Sequence, residues 1–249
     1  MSAKKIEDIS PNASEAEREN ALRLKDLFRQ SPTGEELLDE ASLYQNRQHL
    51  MRQLFFDGLY QQIINVHGVV MEFGCKWGKN LALFTALRGI YEPYNHNRKL
   101  LGFDTFDGLR GVSSEDPRAL EGSYATSKGY EEHLRSVLDC LEQECPLAHI
   151  KKHEIIPGDV RETLPAYLKR NPHTIIALAY FDMDIYEPTK VALEAVLPHL
   201  TRGSILGFDE CNWDAFPGPT RALDEVIGKG KYRIQRSPLQ PIPGYLVID

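Results

Sequence analysis

From residue 69 onward, the chain alternates between short apolar runs and amphipathic stretches. Five apolar runs predict β-strands, at residues 69–74, 99–106, 153–160, 175–182 and 203–210. Between and after them, helical spacing of apolar residues predicts helices at residues 78–91, 129–144, 162–170, 187–200 and 218–228. Near-continuous apolar strands separated by helices are typical of a parallel sheet covered on both faces. With right-handed crossovers, this pattern predicts a Rossmann-like, doubly wound α/β domain.

Both ends of the chain depart from this alternation. Residues 1–20 are polar and expected to fray at their start, whereas residues 31–67 carry apolar residues near i, i+4 spacing, which predicts helix. We therefore predict a helical N-terminal extension over residues 1–66 and a main domain over residues 67–249. Near the C-terminus, two short strand candidates are joined by "PLQPIP", which leaves no room for a helix. Such a connection predicts an antiparallel hairpin.

Composition and charge exclude several classes of protein. The chain has 249 residues, of which 42% are hydrophobic and 26% charged, as in ordinary globular proteins. A net charge of −7 gives no basic surface for nucleic acid, and no apolar run approaches a membrane span. The N-terminus has no apolar signal region, and the four cysteines lack metal-site spacing. We expect a cytoplasmic protein with reduced cysteines and neither a nucleic-acid nor a membrane partner.

Candidate ligand-binding residues follow the first three strands. Gly74 and Gly78 bracket a turn from strand to helix, which lets backbone amides approach a ligand, although a purely structural tight turn is the alternative. Asp104 ends the second strand, where a carboxylate accepts hydrogen bonds from ribose hydroxyls. Asp159 follows the third strand and predicts either an adenine contact or a helix N-cap. Together with Glu72 on the first strand, these acids favour a nucleoside site.

The fourth and fifth strands end in two pairs of acids, Asp182 with Asp184 and Asp209 with Glu210. Two unit charges 4 Å apart repel by about 4 kcal/mol at an effective dielectric constant of 20. Four clustered carboxylates therefore require a cation, shared protons or a splayed arrangement. Oxygen ligands favour Mg²⁺, Mn²⁺ or Ca²⁺ over zinc, and the alternative is that some of these acids cap the helices that follow.

Five motifs in order, "MEFGCKWGKNLALF", "GFDTFDGL", "PGDVRETLP", "FDMDIYEPT" and "GSILGFDE", resemble the macrocin O-methyltransferase (TylF/MycF) family. These class I enzymes use S-adenosylmethionine to methylate sugar hydroxyls of natural products. The stretch "ALRGIYEPYNHNRKLLGFDTFDG" is most similar to sugar methyltransferases of enediyne pathways. The resemblance covers about residues 65–249. It implies a seven-stranded sheet with a reversed last strand, a small glycosylated acceptor and a homo-oligomer.

The resemblance also implies roles for individual residues. The implied cofactor-binding residues are Glu72, Phe73, Gly74, Gly78, Asn80, Asp104, Thr105, Phe106, Gly158, Asp159, Val160 and Asp182. Asp182, Asp209 and Glu210 are the implied Mg²⁺ ligands. The family commonly has Asp-Asp at the last two positions. Glu210 is one methylene longer, which leaves open whether the ion binds through it or the site is weakened or lost.

The predicted reaction is methyl transfer to a hydroxyl. A sulfonium methyl is already electrophilic, so the enzyme has to align it and make the acceptor nucleophilic. Asp182 or Asp184 is the expected catalytic base, and bound Mg²⁺ would favour the alkoxide. His133 and His153 are candidate bases only by elimination.

Other predictions concern the acceptor and competing functions. Trp213 and Phe216 follow the acidic pair, where an aromatic platform suits the apolar face of a sugar. Trp77, beside the glycine turn, is expected to pack between helix and sheet more than to stack on the cofactor. A nicotinamide dehydrogenase requires a GxGxxG turn, which is missing. A methyltransferase fold that acts on another small molecule, or serves as a non-catalytic binding subunit, stays an alternative. Residues 107–128 form a long irregular segment, either a binding loop or a disordered insert.

Overall fold

A computed structural model describes residues 14–31 and 34–249 of the chain. The chain divides into two compact units, residues 1–50 and residues 51–249. The predicted division into an N-terminal extension over residues 1–66 and a methyltransferase domain over residues 67–249 stays a prediction. Within the described residues, no helix is both long enough and apolar enough to span a bilayer.

The first unit contains a helix that goes beyond the prediction. Helix α1 spans Glu15–Arg29, and helical turns follow at Gly34–Leu37 and Ala41–Tyr44. Ser14 and Glu17 form a capping box, in which the Ser14 side chain accepts from the Glu17 amide and the Glu17 carboxylate accepts from the Ser14 amide at 2.8 Å. This Ser-x-x-Glu pattern satisfies two free amides and fixes the helix start inside the segment expected to be polar and frayed. Residues 1–13 lie outside the described residues.

Helix α2, Arg47–Ile63, leads into the sheet. Its residues from 51 onward belong to the second unit, where Phe55, Phe56 and Leu59 are buried in one hydrophobic cluster with Val70 of the first strand. The helix predicted over residues 31–67 is therefore confirmed for Arg47–Ile63, whose apolar face packs on the sheet, whereas residues 34–37 and 41–44 form short 3-10 turns.

The described residues form one seven-stranded sheet. Its strands are β1 Val69–Phe73, β2 Leu100–Asp104, β3 His153–Pro157, β4 Ile176–Phe181, β5 Leu200–Phe208, β6 Gln235–Arg236 and β7 Gly244–Val247. The order is β3-β2-β1-β4-β5-β7-β6; the pairings among β1 to β5 are parallel, and β7 pairs antiparallel with both β5 and β6. The predicted Rossmann-like sheet and its C-terminal antiparallel hairpin are confirmed.

Helices cover both faces of this sheet. They are α3 Lys79–Tyr91, α4 Tyr130–Gln143, α5 Val160–Arg170, α6 Tyr186–Val196 and α7 Gly218–Val226. Val70 and Met71 are consecutive residues of β1, and because their side chains point to opposite faces they enter different clusters. Met71 packs with residues of α5, α6 and α7, whereas Val70 packs with residues of α2, α3 and α4.

The predicted third strand, residues 153–160, is too long. Strand β3 ends at Pro157, and Asp159 caps helix α5, which begins at Val160. Gly158 between them has φ +124°, a backbone conformation that β-strands do not use. The chain therefore changes from strand to helix within two residues. This abrupt change brings the start of α5 to the carboxyl edge of the sheet.

Candidate active site

The order of the strands creates a crevice at the carboxyl ends of β1 and β4. Strand β1 lies between β2 and β4, so the chain direction across the sheet reverses at this point. In open α/β sheets, ligands bind outside the carboxyl ends at such a switch point. Asp104, Asp182 and Asp209 all lie at this edge, directly after or at the end of their strands.

Two glycines shape the turn between β1 and α3. Gly74 and Gly78 both have left-handed backbones, with φ +87° and +74°. A Cβ added to Gly74 would collide with the carbonyl oxygen of Asp182, and one added to Gly78 would collide with the side chain of Leu134. Gly78 is the N-cap of α3, so the unpaired amides of the first helical turn lie at the edge of the sheet. The turn fits the predicted approach of a ligand to the backbone.

Asp104 ends β2 and is held by two backbone amides. Its Oδ2 accepts from the amide of Lys76 at 2.7 Å, and its Oδ1 accepts from the amide of Phe106 at 2.6 Å. Burial nevertheless raises the pKa of Asp104. Each carboxylate oxygen keeps a further lone pair, which is the acceptor that ribose hydroxyls require. Thr105 and Phe106 line an adjacent polar cavity of about 160 Å³.

Glu72 lies beneath this edge and is completely buried. Its Oε1 accepts from Nδ2 of Asn80 at 2.6 Å, while its Oε2 is buried with no hydrogen-bond partner among the described residues. Burial raises the pKa of Glu72 to about 7. Two of the predicted cofactor-binding residues therefore contact each other directly.

Three further predicted cofactor residues have other side-chain contacts. The ring of Phe73 packs between those of Phe103 and Phe181, at 5.2 and 5.0 Å, and Val160 is buried in the same core cluster. Asp159 accepts from the amide of Arg161 and pairs with its guanidinium at 2.5 Å, which lowers the pKa of Asp159. The N-cap interpretation of Asp159 is the one that the structure shows. Contacts of these residues with a cofactor stay predictions.

An arginine bridges the two acids that end β4 and β5. Arg52 of α2 donates from one guanidinium nitrogen to Oδ2 of Asp182 at 2.8 Å and from another to Oδ1 of Asp209 at 2.7 Å. The hydroxyl of Tyr180 also donates to Oδ1 of Asp209, at 2.5 Å. Although burial opposes it, the charges of Asp209 and Asp182 raise the pKa of Arg52. Of the alternatives predicted for these acids, a neighbouring cation is therefore present for Asp182 and Asp209, and this cation is a side chain of the protein.

Sequence reasoning missed Arg52. It lies four residues before Phe56 on α2, and its guanidinium lies over the Phe56 ring at 5.1 Å. An arginine at i, i+4 spacing from a core aromatic is on the buried face of its helix, where an unpaired charge is costly. The spacing of Arg52 from Phe56 was therefore the sequence signal that could have identified Arg52 as a buried, paired residue.

The other half of the cluster consists of Asp184 and Glu210. Glu210 is 4% exposed, and its Oε2 has no hydrogen-bond partner among the described residues. Asp184 adopts a left-handed backbone, φ +63°, which is unusual for a residue other than glycine and typical of functional sites. Burial raises the pKa of Asp184 to about 6, and burial together with Asp184 raises the pKa of Glu210. Two carboxyl groups in contact need a shared proton or a bound cation.

The donors fit a divalent ion only in part. Asp182, Asp184 and Glu210 each offer an oxygen, and these oxygens lie within 4.8 Å of one another. The buried, unpartnered Oε2 of Glu210 is the kind of atom that a cation would satisfy. The predicted ligand Asp209 instead has its Oδ1 engaged by Arg52 and Tyr180. Magnesium binding through Asp182, Asp209 and Glu210 stays a prediction.

The two histidine candidates lie away from this cluster. His153 begins β3 and therefore lies at the amino end of the parallel strands, opposite the site, with Nε2 3.0 Å from Asp139. His133 is exposed on α4, with its ring against Tyr130. Neither replaces the acids as a proton acceptor at the carboxyl edge.

Aromatic side chains flank the site. Trp213 and Phe216, which follow β5, pack together with ring centroids 5.3 Å apart. The prediction that Trp77 packs between helix and sheet is wrong. Its side chain is 48% exposed and meets the ring of Tyr130 edge-on, with ring centroids 4.7 Å apart.

The irregular segment 107–128 is tied to the site by buried contacts. Asp116 is 2% exposed and accepts from the amides of Tyr186, which begins α6, and of Ser113. Nζ of Lys76 lies over the ring of Tyr124 at 4.6 Å. These contacts favour the binding-loop interpretation over a disordered insert.

Comparison with known proteins settles the class of enzyme. A crystal structure of CalS11, described as a calicheamicin methyltransferase, is 44% identical and superposes with a TM-score of 0.91 over 94% of this chain and 93% of that one. An apo structure of CalS11, described as a TDP-rhamnose 3′-O-methyltransferase of calicheamicin biosynthesis, is 41% identical over 94% and 95% of the chains, with a TM-score of 0.84. The chain belongs to the same family of S-adenosylmethionine-dependent O-methyltransferases. No family model and no curated protein matches it.

Membership in this family confirms the resemblance drawn from the five motifs. The protein is an S-adenosylmethionine-dependent O-methyltransferase with a small-molecule substrate. The O-methyltransferase NovP shares the fold, with a TM-score of 0.64 over 80% of this chain and 79% of that one, at 20% identity.

Proposed function

We propose that this O-methyltransferase methylates a hydroxyl of a sugar destined for a natural product. The observation that carries the proposal is the placement of Asp104 and the Gly74–Gly78 turn beside Asp182 and Asp184 at one edge of the sheet. A nucleoside site and a group of proton acceptors thereby share the same crevice. The relative CalS11, whose two structures are 44% and 41% identical to this chain and one of which is described as a TDP-rhamnose 3′-O-methyltransferase, supports a deoxysugar acceptor.

S-adenosylmethionine fits the nucleoside side of the crevice and supplies the electrophilic methyl group when bound. Gly74 and Gly78, which have no side chains, bracket the turn that leads to the free amides at the start of α3. Asp104 is fixed by two backbone amides with its acceptor lone pairs still available. Because its carboxylate is held by these two hydrogen bonds, Asp104 would orient the ribose of the cofactor.

Asp184 is the better candidate of the two predicted catalytic bases. Asp182 is paired with Arg52 at 2.8 Å, and a cation at that distance competes for the lone pair that a base needs. Asp184 has no ion pair to a described residue, and burial raises its pKa to about 6. A carboxylate with that pKa is largely ionised at neutral pH and accepts a proton more readily than an ordinary aspartate.

A magnesium ion would be held by Asp182, Asp184 and Glu210, whose oxygens lie within 4.8 Å of one another. Such an ion supplies Lewis acidity, which lowers the pKa of a bound hydroxyl. It would also satisfy the buried Oε2 of Glu210. The assignment of Asp184 as the base does not require the ion.

The acceptor side of the crevice is aromatic. Trp213 and Phe216 pack together directly after the acidic pair of β5. Apolar ring faces of sugars bind to such aromatic surfaces, while the sugar hydroxyls take polar partners. The binding loop 107–128, fixed through Asp116 to the start of α6, borders the same edge.

The test is methyl transfer from labelled S-adenosylmethionine to a panel of acceptors, followed by mass spectrometry. TDP-rhamnose, other TDP-deoxysugars, glycosylated natural products and their aglycones are compared. We expect product from sugars and none from aglycones. Transfer to phenolic aglycones with no transfer to any sugar would contradict the proposal. Binding of S-adenosylhomocysteine, measured by calorimetry, separates a failed acceptor choice from a failed cofactor site.

We further propose that the protein is a homo-oligomer. The first unit exposes large apolar side chains, including Leu38 at 85% and Leu43 at 68%. Light scattering coupled to size-exclusion chromatography tests this, and a monomer mass at all concentrations would contradict it.

A further inference from the structure

Arg52 occupies a fixed position between two strands of the sheet. Separate nitrogens of its guanidinium contact Asp182, after β4, and Asp209, after β5, at 2.8 and 2.7 Å. The third nitrogen, Nε, donates to Oδ1 of Asn80 at 3.3 Å. The side chain is only 17% exposed. All three guanidinium nitrogens are thus engaged by side chains at the carboxyl edge.

The surroundings of Arg52 hold it in place. Asn80, which accepts from Nε, is itself fixed by donating to the buried Glu72 at 2.6 Å. The ring of Phe56 lies under the guanidinium at 5.1 Å. A planar, always-charged guanidinium with one face on an aromatic ring and its nitrogens engaged by three side chains acts as a cation of defined location.

This location is the one where the resemblance to the macrocin O-methyltransferase family implies a divalent ion. Asp182 and Asp209 are two of the three predicted metal ligands, and Arg52 bridges them. An ion that bound Asp182 together with Asp184 and Glu210 would share Asp182 with the guanidinium and be repelled by it. Arg52 and a divalent ion therefore oppose each other at Asp182.

We infer that Arg52 is the resident cation of this active site and the positioning residue that fixes Asp182 and Asp209 in place of a metal. The inference rests on the proposed function. It follows that methyl transfer does not require a divalent ion and that Arg52 weakens metal binding to the neighbouring acids.

The test measures metal binding separately from activity. Binding of Mn²⁺ to the full-length protein is titrated by electron paramagnetic resonance without acceptor, for the parent, Arg52→Met, Arg52→Lys and Arg29→Met. Arg29 is the matched control because it also pairs with an aspartate, Asp26, but on helix α1. We expect Arg52→Met to bind Mn²⁺ at least tenfold more tightly than the parent, Arg52→Lys to lie between them, and Arg29→Met to match the parent.

The second part of the test measures the rate of methyl transfer in the presence of EDTA. We expect the parent to retain at least half its rate under chelation, and Arg52→Met to become dependent on added Mg²⁺. Tight Mn²⁺ binding by the parent, unchanged or weakened in Arg52→Met, would overturn the inference, as would loss of parental transfer on chelation. If Arg52→Met does not fold, the inference is tested by the Mn²⁺ affinities of the parent and of Arg52→Lys. Failure of the proposed function appears differently, as S-adenosylhomocysteine binding without transfer to any sugar under any metal condition.

Discussion

The guanidinium of Arg52 donates to Oδ1 of Asp209 at 2.7 Å and so joins helix α2 to the end of β5. The two residues are 157 positions apart in the chain. The contact connects a helix that precedes the sheet to the acids that the sheet presents, and Tyr180 supports it by donating to the same carboxylate. Substitutions here are expected to change stability as well as chemistry.

Asp209→Ala is expected to destabilise the protein by about 1–3 kcal/mol, because it leaves a partly buried guanidinium with one acceptor fewer. The free energy of urea unfolding measures the loss. Asp224→Ala is the control, since its pair with Lys229 is about half exposed and such surface pairs contribute little. An Asp209 variant as stable as the Asp224 variant would show that the bridge adds nothing to the fold.

Asp104→Asn is expected to weaken binding of S-adenosylhomocysteine about 10- to 100-fold, because a hydrogen bond from a ribose hydroxyl to a charged acceptor contributes about 1.5–3 kcal/mol. Isothermal titration calorimetry measures the change. The control is Asp107→Asn, an exposed acid in the same loop. Equal affinities of the two variants would remove Asp104 from the cofactor site.

Much of this arrangement follows from the sequence, because the apolar runs of β2, β4 and β5 each end at an acid. Phe181 is buried in β4 and Asp182 follows it directly. The change from an apolar residue to an acid therefore marks both the end of the strand and the start of the site. The sequence predicts that the acids after the fourth and fifth strands cluster, and in the structure these two strands are neighbours.

Long-range pairing is what the sequence could not supply. The sequence of α2 does not predict which strand end the side chain of Arg52 reaches. The position of that side chain depends on how the helix packs across β1 and β4. The cluster was therefore predicted with Mg²⁺ as its cation, and the guanidinium was missed. Helix α1, by contrast, had a local signal in the Ser14–Glu17 capping box, which the polar composition of the segment obscured.

Glu72→Gln is expected to change the pH dependence of stability. Burial raises the pKa of Glu72 to about 7 in the folded state, whereas an unfolded glutamate has a pKa of about 4.3. The folded protein therefore binds the extra proton between these values. The stabilising contribution of Glu72 is fully present below about pH 4 and is lost as the pH rises through 7.

Relative to the parent, Glu72→Gln should become more stable by about 2–3 kcal/mol between pH 5 and pH 8, because glutamine keeps the acceptor for Asn80 and carries no charge. Urea unfolding at the two pH values measures the difference. The exposed Glu144→Gln serves as the control and should track the parent at both. A difference between Glu72→Gln and the parent that does not change with pH would contradict a protonated Glu72.

Asp184→Asn tests the proposed base. Burial raises the pKa of Asp184 to about 6, so the parental kcat should fall about tenfold per pH unit below 6, where the base becomes protonated, and level off above it. Asparagine cannot accept the proton, so we expect kcat to drop by about 10²- to 10⁴-fold. The fall of kcat below pH 6, the acidic limb of the profile, should also disappear. Binding of S-adenosylhomocysteine should be retained, which separates loss of the base from loss of the fold. Asp214→Asn, an exposed acid in the loop after β5, should keep the parental profile. If Asp184→Asn kept both the rate and the acidic limb while Asp182→Asn lost them, the base would be Asp182, and Arg52 would have to release it during the reaction.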